Sequence, residues 1–266
     1  MLKFISLGSG SSGNCYFLNS ANDGLLIDAG IGIRTLKKNL RDYGLNISNI
    51  HNIIVTHDHA DHIKSVGALS SELHIPVYAT SKVHEGIERN YCVKKKVCKE
   101  NIRILTKGET LKVGEFEVTP FDVPHDSTDN VGFRISWNGI IFCLITDAGY
   151  VTDEMKKQIS EANYLVLEAN YDETMLETGP YPVYLKRRIA SNTGHLSNDS
   201  CANALAENMT DKLKKVWFCH ISEENNHPEL VKKTIEAALG EQKSLSVLPS
   251  PCVLKRKSPT GIFELS

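Results

Sequence analysis

The stretch Asn52-Ile53-Ile54-Val55-Thr56-His57-Asp58-His59-Ala60-Asp61-His62 changes character at Thr56. Four residues with the pattern of a buried strand give way to three histidines and Asp61 within six positions. Histidine and aspartate are rarely buried without partners, so packing alone does not account for the cluster. In extended backbone alternate side chains share a face, so His57, His59 and Asp61 are expected to converge from the strand's end. His62, opening the next helix, swings back toward the same point. The pattern predicts a metal site.

Such a cluster needs further ligands, and the rest of the chain offers them where apolar strands end. His125 follows Pro124, Asp147 follows the run Ile140 to Thr146, and His220 follows Val216 to Cys219. Two ions account for the whole set: three imidazoles serve one, Asp61, His62 and His220 the other, and Asp147 bridges. Asp28, closing Leu25-Leu26-Ile27, is expected to accept a ligand N–H and so fix a ring's orientation.

The surrounding chain is that of an ordinary globular protein: 266 residues, 41% hydrophobic, 23% charged, formal net charge −2. No fixed repeat, low-complexity tract or Pro/Gly/Ser linker interrupts it, which predicts a single domain over residues 1–266. The near-neutral balance removes a globally basic surface as an argument for nucleic acid, leaving only local patches. Seven cysteines without a C-x2-C pair read as reduced thiols, and a Cys-type zinc site is not expected. No apolar run approaches the roughly 20 residues that span a bilayer. The apolar run of the first ten residues breaks before a signal-peptide core forms, so a cytoplasmic protein without membrane association is expected.

Short β-rich runs recur at 3–7, 16–19, 24–28, 52–56, 76–79, 115–120, 131–137, 140–146, 164–168 and 215–219. Helical periods run over Arg34 to Tyr43, Asn198 to Met209 and Pro228 to Leu239. Asn138-Gly139 reads as a two-residue hairpin turn. This order predicts an α/β protein, two sheets back to back with helices outside, a four-layer αββα sandwich.

The motif Thr56-His57-x-His59-x-Asp61-His62, followed by a distant histidine, aspartate and histidine at strand ends, resembles the metallo-β-lactamase superfamily. That resemblance implies the same αββα sandwich and a metal-dependent hydrolase. It does not select a substrate, because members of such a fold cleave β-lactams, thioesters, lactones and phosphodiesters.

Charge favours a phosphodiester: two divalent cations outweigh two ligand carboxylates and one hydroxide, leaving a centre attractive to an anion. A metal-acidified water is the expected nucleophile, oriented or deprotonated by Asp61. An alkoxide leaving group benefits from a general acid, whereas a thiolate leaves readily. Glu168, ending the run Tyr164 to Glu168, and His195, ahead of Leu196-Ser197, supply that acid, with Glu168 orienting His195 as proton donor. The pair resembles the Glu and His of the ribonuclease Z and ribonuclease J relatives. Asp147 to His195 is too short an interval for the inserted second domain that ribonuclease J and the cleavage-factor nucleases carry. A small-molecule thioesterase or lactonase using the same ions without His195 is the alternative.

Gly8-Ser9-Gly10-Ser11-Ser12-Gly13-Asn14, Thr146-Asp147-Ala148-Gly149-Tyr150-Val151, Gly179-Pro180-Tyr181-Pro182 with Leu185-Lys186-x-Arg188, Gly194-His195-Leu196-Ser197-Asn198 and Ser222-x-x-Asn225-Asn226-x-Pro228-Glu229 resemble the small WalJ/YycJ family of bacterial nucleases. The resemblance implies an exonuclease, with DNA favoured over RNA as substrate. Lys186, Arg187 and Arg188 are candidate phosphate contacts, and Tyr181 and Tyr184 candidate stacking partners. Metal identity among zinc, manganese and iron is left open, as are cleavage polarity, strandedness and oligomeric state.

Overall fold

The computed structural model describes residues 1–240 and 250–266. They fall into two compact units: Met1–Pro120 with Ser127–Val131 and Lys255–Ser266, and Phe121–Asp126 with Gly132–Leu254.

The first unit opens with β1 (Leu2–Gly8), β2 (Cys15–Asn19) and β3 (Gly24–Ile27), then α1 (Ile33–Asp42), β4 (Asn52–Ile54), α2 (Ala60–Ile63), α3 (Val66–Leu73), β5 (Val77–Ala79), α4 (Ser81–Arg89) and β6 (Ile102–Ile104). The sheet runs β1-β2-β3-β4-β5-β6, with the strand Phe263–Leu265 antiparallel outside β1. Ile5, Leu7, Phe17, Leu26, Ile53 and Val77 form one core with Leu36 and Leu40 of α1, Val66 and Leu69 of α3, and Val83 and Ile87 of α4. The alternate residues Phe4, Tyr16, Leu18, Leu25, Ile27 and Ile54 are buried as well. Burial on both faces explains why these strands read as continuous apolar runs rather than as alternating ones. Each such side chain contributes about 1.5–3 kcal/mol.

β7 (Leu111–Val113) and β8 (Phe116–Asp122) form a hairpin about Gly114, whose φ is 60°. β8 carries the chain from the first unit into the second. A boundary that falls inside a strand leaves no change in composition, which is why no linker is visible in the sequence.

The second unit contains β9 (Val131–Trp137) from Gly132 onward, β10 (Ile140–Ile145), α5 (Asp153–Glu161), β11 (Tyr164–Glu168), α6 (Glu173–Thr178), α7 (Val183–Ile189), α8 (Asn198–Asn208), β12 (Lys215–Cys219), α9 (Pro228–Gly240) and β13 (Cys252–Val253). The expected turn joins β9 to β10, with Asn138 at φ 44° and Gly139 at φ 80°. From β10 through β11 and β12 to β13 the strands are parallel. Cys143, Ile145, Leu165, Leu167, Val216 and Phe218 pack with Met155 and Ile159 of α5, Cys201 and Leu205 of α8, and Val231 and Ile235 of α9. No helix among the described residues is long and apolar enough to cross a membrane.

The sequence reading misses β6, β7, β13 and the C-terminal strand, which are three residues long or shorter. It also carries several strands one or two residues too far. β3 ends at Ile27, β4 at Ile54 and β10 at Ile145, and left-handed residues follow three of the strands: Asp28 after β3, Asp147 after β10 and His220 after β12, with φ of 58°, 53° and 54°. Left-handed conformation is uncommon outside glycine and is retained where surrounding structure over-determines it.

Candidate metal and catalytic centre

In the first unit β3 and β4 are parallel neighbours, and the turn after each carries polar side chains. Asp28, fully buried, accepts from Thr56 N–H at 2.8 Å, from Thr56 Oγ1 at 2.9 Å and from His62 Nδ1 at 2.7 Å. A carboxylate cannot donate, so the proton sits on His62 Nδ1 and the lone pair on Nε2. Thr56 Oγ1 also lies 3.0 Å from His57 Nδ1. The imidazoles of His57 and His59 stand edge to face with centroids 4.7 Å apart, and those of His57 and His62 are 4.0 Å apart. His59 precedes α2 as its N-cap, in extended backbone, and Asp61 and His62 lie in that helix.

Asn14, after the Gly8–Gly13 loop, is a residue the sequence reading did not single out as a functional one. It is fully buried, and its amide donates to Asp61 Oδ2 at 3.2 Å and to His62 Nε2 at 2.9 Å. Its own oxygen accepts from Tyr16 at 3.2 Å, and Tyr16 Oη lies 2.9 Å from Ser9 Oγ. The loop's last residue thus holds Asp61 and His62 through side-chain hydrogen bonds. An asparagine directly after a Gly/Ser loop is the sequence signal that marks it.

In the second unit Glu168, fully buried at the end of β11, receives four donors. His195 Nδ1 lies 2.8 Å and His220 Nδ1 2.9 Å from Oε1, while Oε2 accepts Ala148 N–H at 2.7 Å and Leu196 N–H at 3.2 Å. Burial opposes ionisation of this carboxyl. The facing His195 and the bonds from His195 and His220 outweigh it and hold the carboxyl below its ordinary value.

Asp147 Oδ1 lies 3.2 Å from His220 Nδ1 and accepts from Thr146 Oγ1 at 2.6 Å. Asp147 Oδ2 lies 3.6 Å from His125 Nε2, whose Nδ1 bonds the carbonyl of Gly194 at 2.8 Å. Asp147, Glu168, His195 and His220 each offer a ligand-type atom, all within 4.8 Å of one another. Asn170, two residues beyond Glu168, also escapes the sequence reading; its amide donates to the carbonyl of His220 at 2.7 Å and secures that residue's left-handed backbone.

The donor set fits divalent cations. It consists of imidazoles and carboxylates, and two rings, His125 and His220, have Nδ1 committed to an oxygen acceptor, which presents Nε2 as the ligand atom, while His62 Nε2 receives the Asn14 amide.

The basic residues of α7 are differently placed. Arg188 forms a two-point ion pair with Asp126, and Lys186 bonds the carbonyl of Glu177 at 2.7 Å, which leaves Arg187 as the member of the trio for which the described residues show no such partner. Tyr184 is exposed, whereas Tyr181 packs against Tyr171, Leu176 and Ile189. Of the remaining histidines, His51 pairs with Asp23, His84 with the carbonyl of Arg103, and His227 accepts the N–H of Glu229 at the start of α9, while His74 caps the C-terminus of α3 in left-handed backbone. All seven cysteines are free thiols.

Residues 24–221 match the model of the β-lactamase superfamily domain. The chain is 36% identical over 241 residues to exodeoxyribonuclease YycJ of Bacillus anthracis, covering 91% of this chain and 90% of that protein. It is 34% identical over 239 residues to exodeoxyribonuclease WalJ of Streptococcus pneumoniae, covering 90% and 88%. Among solved structures, zinc-bound PqqB from Methylobacterium extorquens superposes with a TM-score of 0.72 at 18% identity, covering 98% of this chain and 100% of that one. The likeness establishes the α/β sandwich of the metallo-β-lactamase type expected from the sequence. The chain belongs to the β-lactamase superfamily domain family and is a hydrolytic enzyme of that family.

Proposed function

We propose that the protein is a metal-dependent phosphodiesterase that degrades nucleic acid, DNA in preference to RNA, from an end, and that residues 1–266 act as one catalytic domain with no inserted second nuclease domain. Its ligands for two divalent cations, zinc, manganese or iron, are His57, His59, Asp61 and His62 in the first unit and His125, Asp147 and His220 in the second. The ions, when bound, acidify water and draw charge from the phosphate. Asp61 orients the attacking water and accepts its proton. His195, held through Nδ1 by Glu168, delivers a proton from Nε2 to the departing oxygen. Asp28 keeps His62 in one tautomer. Arg187, with Lys186 and Arg188 beside it, contacts substrate phosphates.

The observation that carries this reading is the Glu168–His195 pair beside Asp147 and His220. A thioesterase, whose thiolate leaves readily, has little use for a positioned imidazole acid, whereas a nucleoside alkoxide needs one. The names of the YycJ and WalJ relatives support DNA as the substrate. A cytoplasmic location goes with that substrate.

The test is an assay on end-labelled single- and double-stranded DNA and RNA, with zinc, manganese and magnesium added back after chelation, alongside a thioester panel. Stepwise shortening of DNA dependent on metal is expected. Thioester turnover with DNA left intact overturns the reading.

A further inference from the structure

His195 is also a wall of a cleft of about 430 Å³ that lies within the second unit. Its other walls come from the loop after β10, the loop before His195 and one side of α8. Tyr150 is 49% exposed, and Asn192, Ser200 and Asn203 are exposed as well. The side chains of Tyr150, Asn192 and Asn203 make no hydrogen bond or ion pair among the described residues.

We propose that this cleft binds a single nucleoside, the one carried by the oxygen that departs from the scissile phosphorus. The proposal rests on the reading of His195 as the acid that protonates that oxygen, because whatever leaves on the His195 side emerges beside the cleft. The wall chemistry matches a nucleoside. Each amide offers one donor and one acceptor to a base edge. Tyr150 offers a ring face for stacking, and Ser200 a hydroxyl for the sugar.

A second phosphate fits poorly. Lys156, the cation of the cleft, is paired with Asp153 at 3.0 Å, and Glu207 adds a carboxylate. The volume sits toward the small end of the roughly 300–1,000 Å³ that holds small ligands. A cleft that takes one nucleoside beside the acid confines cleavage to a terminal bond, and the ring face of Tyr150 stacks on any base.

The triple variant Tyr150→Ala/Asn192→Ala/Asn203→Ala and the single variant Asn192→Ala are compared with the wild type on an end-labelled oligodeoxynucleotide and on bis(p-nitrophenyl) phosphate, whose leaving group carries no nucleoside. Base stacking and edge contacts make about a tenfold effect the scale to expect. The ratio of kcat/KM for oligonucleotide to kcat/KM for the aryl ester is expected to fall at least tenfold in the triple variant and severalfold in the single one. Deoxyadenosine is expected to inhibit wild-type DNA degradation at about tenfold lower concentration than the triple variant's.

An unchanged ratio and unchanged deoxyadenosine inhibition overturn the subsite while leaving the nuclease reading in place. Equal loss on both substrates also overturns it, since the residues then act on the catalytic groups. A wild type that cleaves the aryl ester but no oligonucleotide overturns the nuclease reading and the subsite with it.

Discussion

His220 Nδ1 lies 2.9 Å from Glu168 Oε1, the same oxygen that receives His195 Nδ1 at 2.8 Å. One carboxylate oxygen therefore orients both a proposed metal ligand and the proposed proton donor, so ligand geometry and acid geometry are set by a single side chain.

Glu168→Gln keeps the shape but puts an amide where four donors converge. Outer-shell partners of metal-ligating histidines are worth about 10–100-fold in metal affinity or activity. Turnover and metal affinity are both expected to fall within that range, read by kinetics and by competition with a chromophoric chelator. Metal affinity equal to wild type would show that Glu168 serves His195 alone.

His195→Ala is expected to retain bound metal while losing about 10²–10⁴ in turnover on DNA. The loss should shrink on aryl phosphodiesters, whose leaving groups need no proton. Equal loss on both ester types removes the acid role.

Asp28→Asn leaves the buried His62 without an anionic acceptor for Nδ1–H. An affinity loss of about 10–100-fold for metal is expected, together with a smaller thermal stabilisation on adding metal to the stripped protein, since a ligand stabilises only in proportion to its occupancy. Calorimetric melts of stripped and reloaded protein check this; identical metal-induced shifts for variant and wild type contradict it.

Gly30→Ala tests how Asp61 is held. A Cβ at Gly30 would meet the carbonyl oxygen of Asp61 at 1.6 Å, where Asn14 N–H already bonds that oxygen at 2.7 Å. Overpacking against backbone costs about 1–3 kcal/mol or more. Urea unfolding should show a lower midpoint, and a midpoint equal to wild type would mean the backbone crossing yields.

His84 gives stability a pH dependence. Burial holds its imidazole below its ordinary value, against the bonds it makes to backbone carbonyls. The unfolded chain then binds the proton more readily than the folded one, so stability falls as pH drops through about 6.5, the unfolded value, and levels off below the folded one. His84→Gln, which keeps a donor toward the Arg103 carbonyl, is expected to lose less stability between pH 7.5 and 5. Parallel curves for variant and wild type would exclude His84 as the source.

Fold class and much of the site are legible in one dimension for a physical reason. A parallel strand buried on both faces must be an apolar run, and a polar residue placed just where such a run stops has left the sheet for its carboxyl end. Asp28, the His57–His62 cluster, Asp147, Glu168 and His220 all carry that local signature. Strands of two or three residues at sheet edges carry too little periodicity to read.

Other features exist only in the folded chain. Asn14 reaches Asp61 across 47 positions and Asn170 reaches His220 across 50, and nothing in a local window connects them. The same holds for Arg188, which reads as a free phosphate contact until Asp126, 62 positions away, is seen to hold it. Composition and spacing determine which residues are chemically able to bind a cation or carry a proton. Tertiary structure alone decides which donor meets which acceptor, because a hydrogen bond requires two groups within about 3 Å and sequence separation does not constrain that distance.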